Sequence, residues 1–286
     1  MNKSICFVIP KFVTFSTGGA EVQVYYLSEE LIKRGYRVEI VTGGKEHSEA
    51  AKKSPFYNPN IVYYYYKPSY LLRSIEFIKV FLLLLATKSK FYYQRTDYSL
   101  TGSVALFCKL FGRKMIYALA HDDETKRNKY KNQLKDYSYN SKVKKAIRKI
   151  DLTLVDLLVE YGKSNANMVL AQSNQQVGAF EEAFNRKPLL VHNSIVFNTG
   201  AVCEKENIVL WVANFRKVKQ ADVFFKLAQM LSHTNWKFYM IGKIDNDEAD
   251  KDYEAELSHV KNPILNTLGI CLIPMPLPGL PAQKYW

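Results

Sequence analysis

Three stretches of this 286-residue sequence hold residues suited to binding an anionic ligand or to acid–base chemistry. The first is Thr17-Gly18-Gly19-Ala20-Glu21, where two glycines stand just ahead of a helical pattern. Glycine there lets backbone approach a ligand closely and leaves helix N–H groups aimed at an anion, although a plain tight turn uses the same residues. The spacing fits neither G-x-G-x-x-G nor a Walker loop, which removes support from dinucleotide and P-loop readings. The second stretch pairs Gln94-Arg95-Thr96 with His121-Asp122-Asp123, each following an apolar run. His121 is placed to catalyse or simply to hydrogen-bond; its position at a strand end favours a catalytic role. The third is Arg216-Lys217-Val218-Lys219-Gln220, three cations opening a helix, a pattern that binds a diphosphate or lines a solvated surface.

Two further positions stay open on sequence grounds. Asn193, after His192, fixes a chain turn or meets a ligand. Asp245-x-Asp247 resembles a Mg²⁺ or Mn²⁺ pair but also begins the acidic run DNDEADKDYEAE, which the helix macrodipole accounts for; no metal site is expected.

These residues need elements to carry them, and the hydrophobic periodicity supplies the elements. SICFVIPKF (4–12) reads as a strand. AEVQVYYLSEELIKRG (20–35) reads as a helix with Val24, Leu27, Leu31 and Ile32 on one stripe and Gly35 as its stop. YRVEIVTGG (36–44) is a second strand, completing a βαβ unit and hence a parallel sheet. NIVYYYYKP, KFYYQR, KMIYALAHD, NMVLAQS and PLLVHNS add five strands. Helices are expected at 69–88, 101–112, 151–164 and 174–184, with a polar, very basic stretch over 122–149. Seven alternations define an α/β, doubly wound parallel-sheet domain over residues 1–194. After a linker at 195–206, NIVLWVANF, KQADVFFKLAQMLS and WKFYMIG begin a second Rossmann-like domain (207–269). Its helix is expected to bury Val223, Phe224, Leu227, Met230 and Leu231, and an acidic helix should follow near 246–259. Residues 270–286, with four prolines, cannot continue the pattern, so the second domain is expected to be incomplete.

Composition narrows the class. At 48% apolar and 23% charged residues the chain can bury a core, which excludes a disordered or collagen-like protein. Cys6, Cys108, Cys203 and Cys271 form no C-x-x-C pair and read as reduced thiols of a cytoplasmic protein. Net charge is +13, and all of it lies in residues 1–200, where 30 Lys/Arg face 17 Asp/Glu. One domain therefore faces an anionic partner. Nucleic acid is not expected, because no recognition motif accompanies the cations. The apolar run Phe77–Ala86 is too short to span a bilayer, which takes about 20 residues. KVKKAIRKI (142–150) sets Val143, Ala146, Ile147 and Ile150 at helical spacing among cations, a pattern for an anionic lipid surface or for a solvated helix face.

The pieces TGGAEVQVYYLSEELIKRGYRVEIVTG, YYQR, IYALAHD, MVLAQSNQQ, VHNSIVF and VLWVANFRKVKQADVFFKLAQ together resemble a family 4 glycosyltransferase of the two-Rossmann-domain (GT-B) type. The likeness extends over about residues 4–269. It implies acceptor binding mainly by the N-terminal domain and binding of a UDP- or GDP-linked sugar mainly by the C-terminal one. Transfer would retain configuration and use no metal or other cofactor. It places the family's glycine loop on Gly18 and Gly19, near the donor phosphates and the acceptor, and its active-site histidine on His121. The phosphate-binding lysine falls on Lys219. The partner arginine's position is Asn214, with Arg216 the substitute cation, and the glycine after the lysine is Gln220. Arg95 and Asp122 are the acceptor-side candidates. Family acceptors are often lipid-linked sugars, so a polysaccharide or lipid-linked acceptor is expected, at the cytoplasmic face of an anionic membrane. The family's paired glutamates, eight positions apart, have no match in 270–286. The chain is accordingly expected to be either a glycosyltransferase shortened in its second domain or a non-catalytic acceptor-domain subunit whose partner completes the donor site.

Overall fold

The structure, a computed structural model, describes residues 3–15, 18–44, 49–69, 72–136, 141–194, 206–213, 219–241 and 268–271. The chain divides into two compact units, Met1–Val196 and Phe197–Trp286. In the first, seven strands form one parallel sheet: β1 (Ser4–Ile9), β2 (Arg37–Gly43), β3 (Val62–Tyr66), β4 (Phe91–Arg95), β5 (Lys114–Ala118), β6 (Met168–Ala171) and β7 (Leu189–Leu190). Their order is β3-β2-β1-β4-β5-β6-β7, so the winding reverses between β1 and β4. Crevices for ligands open beyond the carboxyl ends of the strands at such a reversal. Register keeps those ends level, since Arg95 pairs with Ala118, Ala118 with Leu170, and Ala171 with Leu190.

Helices cover both faces of this sheet. On one face α1 (Gly19–Lys33) buries Val24 against Ile5, Phe7 and Ile40. Its stop is Gly35, at φ +77, where the Tyr36 N–H returns to the Leu31 carbonyl. The short α2 (Glu49–Lys52) follows β2. The other face carries α3 (Glu76–Leu84), α4 (Ser99–Leu110), α6 (Lys142–Asn165) and α7 (Asn174–Phe184). Val80, Leu84, Leu100, Val104 and Phe180 pack there on Val8, Tyr92 and Tyr117. Between β5 and α6 run two single 3-10 turns, Asp122–Thr125 and Gln133–Asp136, and a short α5 (Lys129–Asn132). Buried Cys6 and Cys108 are free thiols, both pushed up by burial, Cys108 to about 12.

The helix expected at 69–88 is shorter, because a 3-10 turn at Arg73–Ile75 precedes α3 and the chain leaves the helix after Leu84. The helix expected at 151–164 is longer. Lys and Arg are good helix formers, and the basic residues 142–150 are its first turns rather than a loop. α4 and α6 cross through two glycines. A Cβ on Gly162 would lie 2.5 Å from the Thr101 carbonyl oxygen, and one on Gly102 would lie 2.7 Å from that of Leu158.

The second unit contains a three-stranded parallel sheet among its described residues, ordered β10-β9-β8, with β8 (Ile208–Val212), β9 (Lys237–Ile241) and β10 (Leu268–Cys271). The third strand begins where the sequence pattern fades and takes in two residues, 270 and 271, that were expected in the tail. Helix α8 (Ala221–Met230) buries Ala221, Phe224, Phe225 and Ala228 against Phe238 and Met240. Val223, Leu227 and Met230, expected inside, are exposed, because the two adjacent phenylalanines turn the stripe toward themselves. The helix expected at 246–259 lies outside the described residues.

Because backbone atoms crowd the α4–α6 crossing, Gly162→Ala should destabilise the first unit by roughly 1–3 kcal/mol despite alanine's better helix propensity. Urea unfolding of the full chain measures this; an unchanged midpoint would show that the helices part without cost.

Candidate functional site

The carboxyl ends of β4, β5, β6 and β7, together with α1, gather a relay of polar side chains. Arg95, the last residue of β4, is buried. Its Nη2 donates to Asn193 Oδ1 at 3.0 Å and its Nη1 to the Tyr93 hydroxyl at 3.3 Å. Its Nε has no hydrogen-bond partner among the described residues, nor has Oε1 of the neighbouring buried Gln94. Asn193 Nδ2 passes the chain to Gln172 Oε1 at 2.7 Å, and Gln172 Nε2 donates to the Leu119 carbonyl. His192 Nδ1 lies 2.9 Å from the Gln172 carbonyl. From α1, Gln23 binds Ser194 twice, donating to its carbonyl at 2.7 Å and accepting its N–H at 3.1 Å. Asn193, left open between turn and ligand, thus fixes the position of Arg95.

Sequence reading missed Gln23 and Gln172, whose partners are remote in the chain and whose residue type is ordinary on any surface. It also missed the conformation after Arg95. Thr96 sits at φ +70, a left-handed conformation that a β-branched residue adopts only when its surroundings enforce it. Gln94 Nε2 donates to the carbonyls of Arg95 and Thr96 and holds that bend.

Beside this relay lies a cavity of about 320 Å³. Gln23, Arg95, Gln172, His192, Asn193 and Ser194 form its polar wall. Leu27, Leu31, Ile116, Met168 and Leu170 form its apolar one. Leu27 and Leu31, read as part of the apolar stripe of α1, line this cavity, and Leu31 also packs against the core. Gly18 is the N-cap of α1, in extended backbone, and accepts from the Val22 N–H. A Cβ on Gly19 would meet nothing within 4 Å, so packing does not demand that glycine, whereas one on Gly18 would collide with the Glu21 carboxylate. Thr17 lies outside the described residues.

The loop after β5 is held from beneath. His121 caps the 3-10 turn, its Nδ1 accepting the Asp123 N–H at 3.2 Å, so that the proton sits on the exposed Nε2. Asp122 Oδ1 accepts from Gln176 Nε2 of α7 at 2.8 Å. Lys126 holds the Asp123 carboxyl below the ordinary carboxylate range. Among the described residues no hydrogen bond joins His121 or Asp122 to Arg95; they occupy neighbouring strand ends separately.

Under both loops lies a buried ionic cluster. The fully buried Lys163 ammonium donates to Asp97 Oδ2 at 2.7 Å and to the Glu124 carbonyl at 2.6 Å. Lys129 Nζ donates to Asp97 Oδ1 at 2.6 Å. Burial raises the Asp97 pKa, but Lys163 and Lys129 outweigh it and hold the group ionised, below its usual range. Glu124 Oε2 accepts from the Tyr117 hydroxyl at 2.7 Å and from the Ala120 N–H at 3.0 Å. Burial, then the Asp97 charge, pushes Glu124 up to about 7.

In the second unit Lys219 is exposed just ahead of α8, and its carbonyl accepts from Trp211 Nε1 at 3.3 Å. Gln220, at φ +53, is left-handed, a conformation that favours glycine. Asn214, Arg216, Lys217, Asp245 and Asp247 lie outside the described residues. Among the described residues no three His, Cys, Asp or Glu side chains are arranged to hold a metal.

A seven-stranded parallel sheet of this order, followed by a second parallel α/β unit, is the fold of GT-B glycosyltransferases. Residues 17–156 match Glycosyltransferase Family 4. No curated protein matches the sequence. Among solved structures, a glycosyltransferase of Rickettsia africae is 14% identical, with a TM-score of 0.59, over 94% of this chain and 68% of its own. HepE of Anabaena, solved with UDP and glucose, is 14% identical, with a TM-score of 0.58, over 92% of this chain and 66% of its own. The UDP-GlcNAc 2-epimerase of Methanocaldococcus jannaschii is 9% identical, with a TM-score of 0.54, over 96% of this chain and 74% of its own. At such identities the likeness is one of fold, and the fold alone houses both transferases and an epimerase. The chain spans 66% of the length of HepE, just under two thirds.

Two measurements follow from the buried and strained groups. Glu124 takes up its proton at higher pH when folded than when unfolded, so its contribution to stability is present below its unfolded value and is lost as pH rises through about 7. Glu124→Gln should remove this loss and stabilise the protein above neutrality by roughly 1–3 kcal/mol, read by urea unfolding between about pH 5 and 8. A wild-type slope retained in the variant would assign the titration elsewhere. Gln220→Gly should relieve the left-handed backbone and raise the melting temperature of the second unit, the gain being at most about 1 kcal/mol.

Proposed function

We propose that this chain is a glycosyltransferase that moves a sugar from a UDP- or GDP-linked donor to a polysaccharide or lipid-linked glycan acceptor. The observation that carries the reading is the Arg95 relay beside its cavity, within a family whose members transfer sugars. A buried guanidinium with an unpaired Nε, amide side chains and an apolar wall suit a polyhydroxyl ring with an anionic neighbour. The acceptor lies there, against Arg95 and near Asp122. His121 presents Nε2–H toward the reacting sugar and fixes its orientation by hydrogen bonding.

On the donor side, Gly18 and Gly19 present the start of α1 to the phosphates, with open space beside Gly19 and the flexible Glu21 carboxylate, which must swing aside, lying over Gly18. Lys219 and Arg216 neutralise the departing diphosphate as the glycosidic bond breaks, and positive charge builds on the sugar ring. The reaction retains configuration and proceeds without a metal, the cations of the protein serving instead. The setting is the cytoplasmic face of an anionic membrane. No helix among the described residues is long and apolar enough to cross one.

UDP binding by the full chain, measured calorimetrically, tests the donor half directly. Lys219→Ala should weaken it roughly tenfold, the loss of one charge-assisted contact. His121→Ala should leave UDP binding intact and lower transfer about a hundredfold. A chain that binds no UDP would overturn the donor assignment and favour an acceptor-side subunit completed by a partner.

A further inference from the structure

The helix layer opposite α1 exposes apolar side chains in a regular order. Along α6, Val143, Ile147, Ile150, Leu154 and Leu157 recur at alternating steps of four and three residues and are 44–68% exposed. Ile75, Ile78, Leu82 and Leu85, in and around α3, repeat the spacing at 40–59% exposure. The two stripes are clamped together at one point. The Asp151 carboxylate of α6 accepts the N–H groups of Arg73 and Ser74 at 3.0 and 2.9 Å and the Ser74 hydroxyl at 2.7 Å. Scattered exposed leucines need no explanation, but two clamped stripes of nine do.

Charge decides what covers them. The first turns of α6 carry exposed Lys142, Lys144, Lys145 and Lys149 between the apolar positions. Arg73 and Lys79 flank the second stripe. Residues 73–85 and 142–150 contain a single carboxylate, Glu76, which is buried and accepts the Ser69 N–H at 2.8 Å. A second copy of the chain would bring like charges together along such a seam, whereas a coiled-coil partner needs opposite ones. An amphipathic helix with lysines beside its apolar face matches an anionic bilayer, where the side chains enter the acyl boundary and the ammonium groups meet phosphate.

We propose that the α3–α6 face is the surface by which this protein docks on anionic lipid, with Ile147, Ile150 and Leu154 entering the bilayer and the α6 lysines meeting headgroup phosphates. This gives a location to the membrane contact in the functional reading. Vesicle binding is read without nucleotide or sugar, so it stands or falls separately from UDP binding.

The test is co-sedimentation of the full chain with vesicles of phosphatidylglycerol and phosphatidylcholine in equal parts, against phosphatidylcholine alone. The expected result is binding to the first and not the second. Replacing Lys144, Lys145 and Lys149 together by Ser should weaken it roughly a hundredfold. Ile147→Asp with Ile150→Asp should weaken it at least about tenfold. All five positions are exposed, so the fold should persist, which circular dichroism verifies. Wild-type chain that ignores anionic vesicles, or variants that bind them like wild type, would overturn the proposal. So would a dimer, seen by sedimentation and broken by the Ile147 and Ile150 changes, in a protein that binds no vesicles.

Discussion

A lysine ammonium without access to water is tolerable only if its charge is met on the spot, and Lys163 meets this demand by pulling two loops together. Its Nζ binds the Asp97 carboxylate, which follows β4, and the Glu124 carbonyl, which follows β5. Those loops follow Arg95 and carry His121, the two side chains that the proposed function sets against the acceptor and the reacting sugar. Breaking one partner of such a cluster strands a buried charge, so its geometry is defended by the full cost of desolvation. The loops are therefore held by a constraint far stiffer than loop packing alone would provide. Lys129 and Tyr130 add further bonds to Asp97 and draw the 3-10 and α5 segment into the same support.

Above that support, strand order does the rest. Reversal of winding between β1 and β4 brings the start of α1 and the end of β4 to adjoining places, and level strand ends put Gln172 and Asn193 within reach of Arg95. Residues 171 positions apart, Gln23 and Ser194, close the relay. The preference of parallel sheets for both-face cover and the need of each strand-end amide for a partner act together here. One shapes the crevice; the other lines it with donors and acceptors whose directions are fixed.

Much of this was legible in the residues. Alternation of apolar runs with helical stripes located seven strands, because parallel strands buried on both faces read as continuous hydrophobic segments. Gly35 marked the end of α1 for a reason visible in its positive φ. Arg95 and His121 were singled out as strand-end residues, and that is where they stand. What escaped depended on distant partners. The amides of Gln23 and Gln172 have no local signature. Lys163 did leave one, since it continues the buried stripe Leu152, Val155, Val159, Gly162 at helical spacing, and a lysine on an apolar stripe is a sign of a buried ion pair. The start of α6 escaped because a basic, polar run looks like a loop until helix propensity is weighed against hydrophobicity. On α8 the misjudged face came from reading Val223, Leu227 and Met230 as a stripe beside the larger Phe224–Phe225 pair.

α6 is one unbroken helix of 24 residues, a rod about 36 Å long. It is gripped from its middle onward: Asp151 accepts from Arg73 and Ser74, Asp156 accepts the N–H groups of Tyr130 and Lys131, and Gly102 and Gly162 let it press on α4. Only the largely exposed turns 142–150 run past these anchors. A beam held at several points along its length is a strut and not a lever. Mechanical load at Lys142–Ile150 is taken up at Asp151 before it reaches the ammonium that spaces the two strand-end loops.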